Sequence, residues 1–221
     1  MKKKKLDIIY EDKEILAINK PSGLLTISTL KEKEKTLFHE VSCYVKKSNP
    51  KAKVFIINRL DKDTSGIVLF AKNQNTKYLY QNSWDKLAKK RCYIAIVNGK
   101  LKDKKGTIKS YLKETKTLLM YSSNDKKDGK LAITNYSVIK ENDKYSLIDI
   151  EIKTGRKNQI RVHLSDIGNP ILGDKKYGSK KSSANRLMLH ASYLLLINPK
   201  TNKKMEFICN TPKIFDNYFG E

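Results

Sequence analysis

Cysteine is scarce in this chain of 221 residues, and the three present, Cys43, Cys92 and Cys209, are odd in number and far apart. No Cys-x-x-Cys pair and no nearby histidine completes a zinc site, so the three read as reduced core thiols. Histidine is equally sparse. His39, His163 and His190 are scattered, which leaves a three-histidine metal centre without local support. Long apolar runs are missing too, and none approaches the roughly 20 residues that span a bilayer. The lysines at 2–5 could imitate the start of a signal peptide, but Leu6-Asp7-Ile8-Ile9-Tyr10-Glu11-Asp12 breaks any apolar region with acids. The expected location is therefore cytoplasmic, with no membrane partner.

Negative charge is what the chain has least of in proportion. Against 46 Lys plus Arg stand 23 Asp plus Glu, a formal net charge of +23. Such a field attracts polyanions, and nucleic acid is the expected partner. The plainer alternative is a lysine-rich surface that only solvates. A chain of this length can bury a sizeable core without staples, as one large domain or two small ones. No linker or composition shift requires a second domain, so a single domain over 1–221 is expected, with no obligate protein partner.

Short β-rich apolar runs recur: Ile15 to Ile18, Val54 to Ile57, Ile67 to Ala71, Tyr93 to Val97, Ala132 to Ile139, Leu147 to Ile152, Leu189 to Ile197 and Met205 to Cys209. Helices are predicted over Leu37 to Lys46, Thr76 to Lys89 and Asn158 to Asp166. Strands outnumber helices without regular alternation. That pattern argues for an α+β domain with a mixed, largely antiparallel central sheet. Turn chemistry marks Lys20-Pro21-Ser22-Gly23, 125–130 and 173–183 as surface loops. The last carries Lys175, Lys176, Lys180 and Lys181, a mobile basic segment suited to a phosphate backbone.

The stretch Asn58-Arg59-Leu60-Asp61-Lys62-Asp63-Thr64-Ser65-Gly66 connects two apolar strands, a position where a rigid scaffold commonly holds catalytic groups. Asp61, Asp63, Ser65 and Gly66 match part of a calcium loop, but its twelfth position is Lys72, a cation where a bidentate Glu belongs. A haloacid dehalogenase-type phosphohydrolase also places a nucleophilic Asp after an apolar strand. Such an enzyme needs a distal acidic pair for magnesium, and Asp174 is followed by two lysines instead.

The same stretch closely resembles the His-Arg-Leu-Asp-x-x-Thr-Ser-Gly motif of the RluA-type pseudouridine synthases. The resemblance runs from about Leu6 to Phe215 and rests on further motifs in order. Tyr10-Glu11-Asp12 and Asn19 to Gly23 resemble the family's opening strand and turn, and Tyr93 to Gly99 its tyrosine strand. Thr154 to Leu164 resembles its arginine motif, and Gly168 to Asp174, Tyr177-Gly178 and Arg186 to Ala191 follow. Asn58 and Asn158 stand where the commonest family patterns have His, and the accessory N-terminal RNA-binding domain of some relatives is not expected here.

The resemblance implies a pseudouridine synthase-like fold, with helices and loops flanking an active-site cleft. It also implies isomerisation of uridine in structured ribosomal or transfer RNA, without cofactor or metal. By the same resemblance Asp61 is the catalytic carboxylate, as nucleophile or as base. Arg161 keeps it ionised, Tyr93 stacks on the extruded uracil, and Arg59 occupies the vacated base position. His163 and His190 read as structural. The rival from another class is a basic RNA-binding protein without catalysis.

Overall fold

The computed structural model describes residues 6–30, 32–127, 129–178 and 184–220. In chain order the elements are β1 (Ile8–Glu11), β2 (Ile15–Lys20), α1 (Leu37–Ser48), β3 (Phe55–Ile56), β4 (Ser65–Ala71), α2 (Gln74–Asn82), α3 (Trp84–Leu87) and β5 (Ala88–Asn98). They continue with β6 (Lys105–Glu114), β7 (Met120–Ser123), β8 (Lys130–Glu141), β9 (Tyr145–Ile152), α4 (Gln159–Asp166), β10 (Leu189–Ile197), β11 (Lys204–Ile208) and a 3-10 turn at Lys213–Tyr218. The fold is α+β with a largely antiparallel sheet. Contacts group the chain into two compact units, Met1–Lys89 with Ala191–Cys209, and Lys90–His190 with Asn210–Glu221.

In the first unit β1, β2, β4, β10 and β11 lie side by side, with β3 paired to the end of β4. Alternation along the strands separates two cores. Leu16, Ile18, Val68 and Phe70 meet Leu37 and Val41 of α1 on one face, while Ile15, Ala17 and Leu69 meet Tyr80 of α2, Leu194 and Phe207 on the other. β4 is consequently buried at every position, which explains its nearly continuous apolar sequence. Thr36 caps α1 by accepting from the His39 amide at 3.1 Å, and Asn73 caps α2 by accepting from the Thr76 amide at 2.8 Å.

In the second unit β5, β9, β8, β6 and β7 form consecutive antiparallel pairs. Ser146, Ile148, Ile150 and Ile152 of β9 are buried and their neighbours half-buried, as its alternation predicts. Leu164 and Ile160 of α4 join Ile150 and Ile152 in the main core, and Val162 packs with Leu112 and Ala132.

Two sequence expectations change. The helix over 76–89 is two shorter ones, because Ala88 and Lys89 already belong to β5. Cys92 and Cys209 are buried thiols, pushed up by burial to about 11 and about 12, but Cys43 is exposed, since α1 turns Leu37 and Val41 inward instead. Among the described residues no helix is long and apolar enough to cross a membrane.

Candidate active site

Asp61 is half-buried in the connection 57–64 between β3 and β4, and its backbone is held from several sides. The Thr64 amide donates to the Asp61 carbonyl at 3.2 Å, closing the turn. Lys20, fully buried at the end of β2, donates its ammonium protons to the carbonyls of Pro21, Leu24 and Lys62 at 2.9, 2.8 and 2.9 Å. Bonds to carbonyls of both segments mean that this cation ties the 20–24 turn to the Asp61 turn.

The Gly23 amide reaches the same Lys62 carbonyl at 3.0 Å, Ser22 Oγ donates to the Asp63 carbonyl at 2.6 Å, and Thr26 Oγ1 donates to the Leu60 carbonyl at 2.6 Å. Asn58, at the position of the commoner His, accepts from the Leu69 amide at 2.7 Å and fixes where the connection leaves β3. Gly66 closes it at φ +113°, where a Cβ would stand 2.2 Å from the Ala191 carbonyl oxygen. Only glycine fits there.

The result is a carboxylate on a tightly held backbone, the preorganisation a reacting group needs. Arg59 and Asp63, in the same turn, are exposed. Strands flank the turn on both sides, which overturns the calcium-loop reading, since that loop lies between helices. Turn chemistry places Lys20 in a surface loop; its burial corrects that.

In the second unit, α4 buries Gln159 through Leu164 without exception. Arg161 is therefore no solvated helix charge. Its Nε and Nη2 donate to the two carboxylate oxygens of Asp174 at 2.8 and 2.7 Å, a bidentate pair, and its guanidinium lies 5.1 Å from the Tyr177 ring centroid. Asp174 Oδ1 also accepts from the Lys176 and Tyr177 amides at 2.8 and 3.0 Å. Burial raises the pKa of Asp174, but the guanidinium and these amides outweigh it and hold the carboxyl below its ordinary value. With both oxygens committed, Asp174 is not the magnesium ligand a phosphohydrolase would need.

Residues 173–178 of the loop after α4 are thus fastened, contrary to the mobile segment expected there. Gly173 has φ +81° and no room for a Cβ, Tyr177 donates its hydroxyl to Asn158 Oδ1 at 3.2 Å, and Ser165 Oγ donates to the Tyr177 carbonyl at 2.8 Å. Lys175 and Lys176 are exposed there, with Lys176 Nζ donating to the Leu118 carbonyl at 3.1 Å. Lys180 and Lys181 lie outside the described residues. Tyr93 is half-buried on β5 opposite Ile150.

His163, fully buried, has Nδ1 2.9 Å from Thr134 Oγ1 and Nε2 3.0 Å from Ser110 Oγ, and burial pushes its pKa down against the opposing pull of Asp166. Gln159 extends this network, donating to Thr134 Oγ1 and the Ile133 carbonyl, both at 3.0 Å. The histidine positions the helix rather than facing solvent. Asp61 and Arg59 thus belong to the first unit, and Tyr93, Arg161, Lys175 and Lys176 to the second. The sequence alone gives Lys20 and Asp174 no role, although both stand inside the motifs quoted above. Among the described residues, no cluster of His, Cys, Asp and Glu has the makings of a metal site.

The sequence profile of the RNA pseudouridylate synthase family matches residues 14–166, which include the Asp61 turn and Arg161. The chain belongs to that family. Among its family relatives is an uncharacterised RNA pseudouridine synthase of Mycoplasma genitalium, 37% identical over 206 residues, covering 92% of this chain and 66% of that protein. A ribosomal large subunit pseudouridine synthase D of Borreliella burgdorferi is 38% identical, covering 94% and 66%. A tRNA pseudouridine synthase C of Haemophilus ducreyi is 35% identical, covering 90% and 88%. The chain thus spans about two thirds of the length of the first two. Human RNA pseudouridylate synthase domain containing 1 shares the family fold, with a TM-score of 0.77 at 24% identity, covering 94% of this chain and 84% of that one.

Proposed function

We propose that this chain isomerises uridine to pseudouridine in structured RNA, with Asp61 as the essential carboxylate. The observation that carries the reading is the Asp61 turn: a carboxylate in the family-matched segment, on a backbone clamped by Lys20, Ser22, Thr26 and Asn58. The reaction breaks the bond from N1 of uracil to C1′ of ribose, turns the free base and rejoins it through C5, whose proton leaves. It needs no redox partner or phosphoryl donor.

Asp61 acts at the sugar, as nucleophile on the ribose or as base for an elimination, and its ionised form serves both routes. The family resemblance assigns Arg161 to the same chemistry, and its bidentate bond to Asp174 fixes where the guanidinium stands. Tyr93 offers a ring to stack on the extruded uracil and a hydroxyl for the C5 proton, and Arg59 a planar cation to fill the vacated stack. The exposed Lys175 and Lys176, with Lys180 and Lys181, contribute phosphate contacts. The Borreliella and Haemophilus relatives are named for ribosomal and transfer RNA, and both classes are substrates to test.

The test is tritium release from transcripts labelled at C5 of uridine. The wild-type chain releases label and a folded Asp61→Asn chain does not. Binding without release by the wild type would leave the non-catalytic RNA-binding reading in its place.

A further inference from the structure

The first unit carries an open groove of about 450 Å3 whose lining includes Phe38 and Ser42 of α1, Phe55 of β3, and Lys46, Lys53 and Lys77. Among the described residues, no acidic one lines it. Phe38 is 36% exposed, unusual for a phenyl ring. Lys77 Nζ lies 5.8 Å from the Phe55 ring centroid and 5.6 Å from that of the exposed Tyr78, so a positive charge is held among aromatic faces. Glu40, the acid of α1's first turn, stands two residues beyond Phe38 and about 200° around the helix, away from the groove.

Cations in a groove without acids ask for phosphates, and an exposed phenyl ring beside a half-buried one asks for the flat faces of bases. A double helix offers the first but hides the second. Single-stranded nucleic acid offers both, and lysines interleaved with aromatic rings are the usual solution for holding it. The volume suits about one or two nucleotides rather than a duplex. β3 also leads directly into the Asp61 turn, Phe55 standing six residues before Asp61.

We propose that this groove binds an unpaired stretch of the RNA substrate, with bases against Phe38 and Phe55 and phosphates on Lys46, Lys53 and Lys77. It rests on the reading that RNA is the substrate, and it adds a second, base-stacking contact outside the proposed catalytic residues.

The test titrates fluorescein-labelled oligouridine into the full chain across a salt series and follows anisotropy. Lys46→Glu, Lys53→Glu and Lys77→Glu together are compared with Lys102→Glu, Lys144→Glu and Lys213→Glu, a set of equal charge from the exposed surface of the second unit. The groove set should weaken binding by about tenfold or more, the control set by about threefold at most, and only the groove set should flatten the log-log salt slope by about 2. Phe38→Leu should weaken binding by about fivefold, whereas Phe38→Tyr, which keeps the ring, stays within about twofold of wild type.

Equal losses from the two lysine sets, or a Phe38→Tyr chain as weak as Phe38→Leu, would overturn the groove. So would oligouridine affinity untouched by the groove set while sedimentation shows that set abolishing a dimer, which assigns the groove to a second copy. Tritium release measured in parallel keeps the two proposals apart. A chain that isomerises nothing yet binds oligouridine through the groove removes the catalytic reading and leaves this one standing.

Discussion

Asp61 and Asp63 sit two residues apart in one turn, Asp61 half-buried and Asp63 exposed with its carbonyl engaged by Ser22. A phosphohydrolase would use the first as nucleophile and the second as acid and base, so either amide substitution would be severe. A pseudouridine synthase needs only the first. Asp61→Asn should therefore abolish isomerisation in single-turnover assays with saturating enzyme while circular dichroism and RNA affinity stay near wild type, and Asp63→Asn should keep substantial activity. An Asp63→Asn chain as inactive as Asp61→Asn would show that the turn employs both carboxylates. At Tyr93 the question is ring against hydroxyl. Tyr93→Phe keeps the stacking face and should retain more activity than Tyr93→Leu; equal defects, read from the same tritium assay, would give the main role to the hydroxyl.

At the scale of elements, α4 and the loop after it behave as one piece joined by Arg161 and Asp174. Asp174 has no exposed side-chain surface and Arg161 only 9%. Removing one partner strands a buried charge, so Asp174→Ala should cost about 3–5 kcal/mol in urea unfolding followed by far-ultraviolet circular dichroism. A loss below about 1 kcal/mol would mean that the guanidinium finds other partners readily. This pair also shows where sequence reading stops. The bounds of β10 were legible from its apolar run, although Leu189 enters one core and Leu194 and Leu196 another, and the alternation of β9 was legible because Ile148, Ile150 and Ile152 face one core. β6 and β7 were not, because Ser110 turns its hydroxyl inward to His163 and lysines alternate with the rest, so no apolar run marks the strand. Asp174 stood inside a recognised motif without a role, since its bond to Arg161 exists only once the chain has turned back. Lys20 was hidden by habit: lysine is ordinarily exposed, and the carbonyls gathered around its ammonium help to make its burial tolerable.

Across the whole molecule, acid should act through the second unit in two stages. His163 has its pKa lowered by burial, so the unfolded chain binds that proton first. Its contribution to stability is in place above the unfolded value of about 6.5 and is lost as pH falls toward the lowered folded value. Asp174 is also held low, by Arg161 and two amides against the effect of burial, and its contribution holds above the unfolded carboxylate value of about 3.9 and disappears as pH falls through the folded one. Urea midpoints measured from about pH 8 to about pH 3 should decline first below about 6.5 and again below about 4. A His163→Gln chain should lose the first decline and keep the second. A midpoint flat between pH 8 and 4 would mean that neither burial nor pairing distinguishes these groups from the unfolded chain.

The fully buried ammonium of Lys20 also makes the chain report on itself. An amine-reactive acylating reagent meets the exposed lysines at once, but it reaches Lys20 only when the 20–24 turn and the Asp61 turn come apart. At reagent concentrations where acylation outpaces reclosing, the labelling rate of this one amine, followed by mass spectrometry, is the opening rate of the turn that carries Asp61. Substrate RNA that steadies the turn should lengthen that clock, and a reagent that labels Lys20 as fast as its exposed neighbours would show that the clamp is open most of the time.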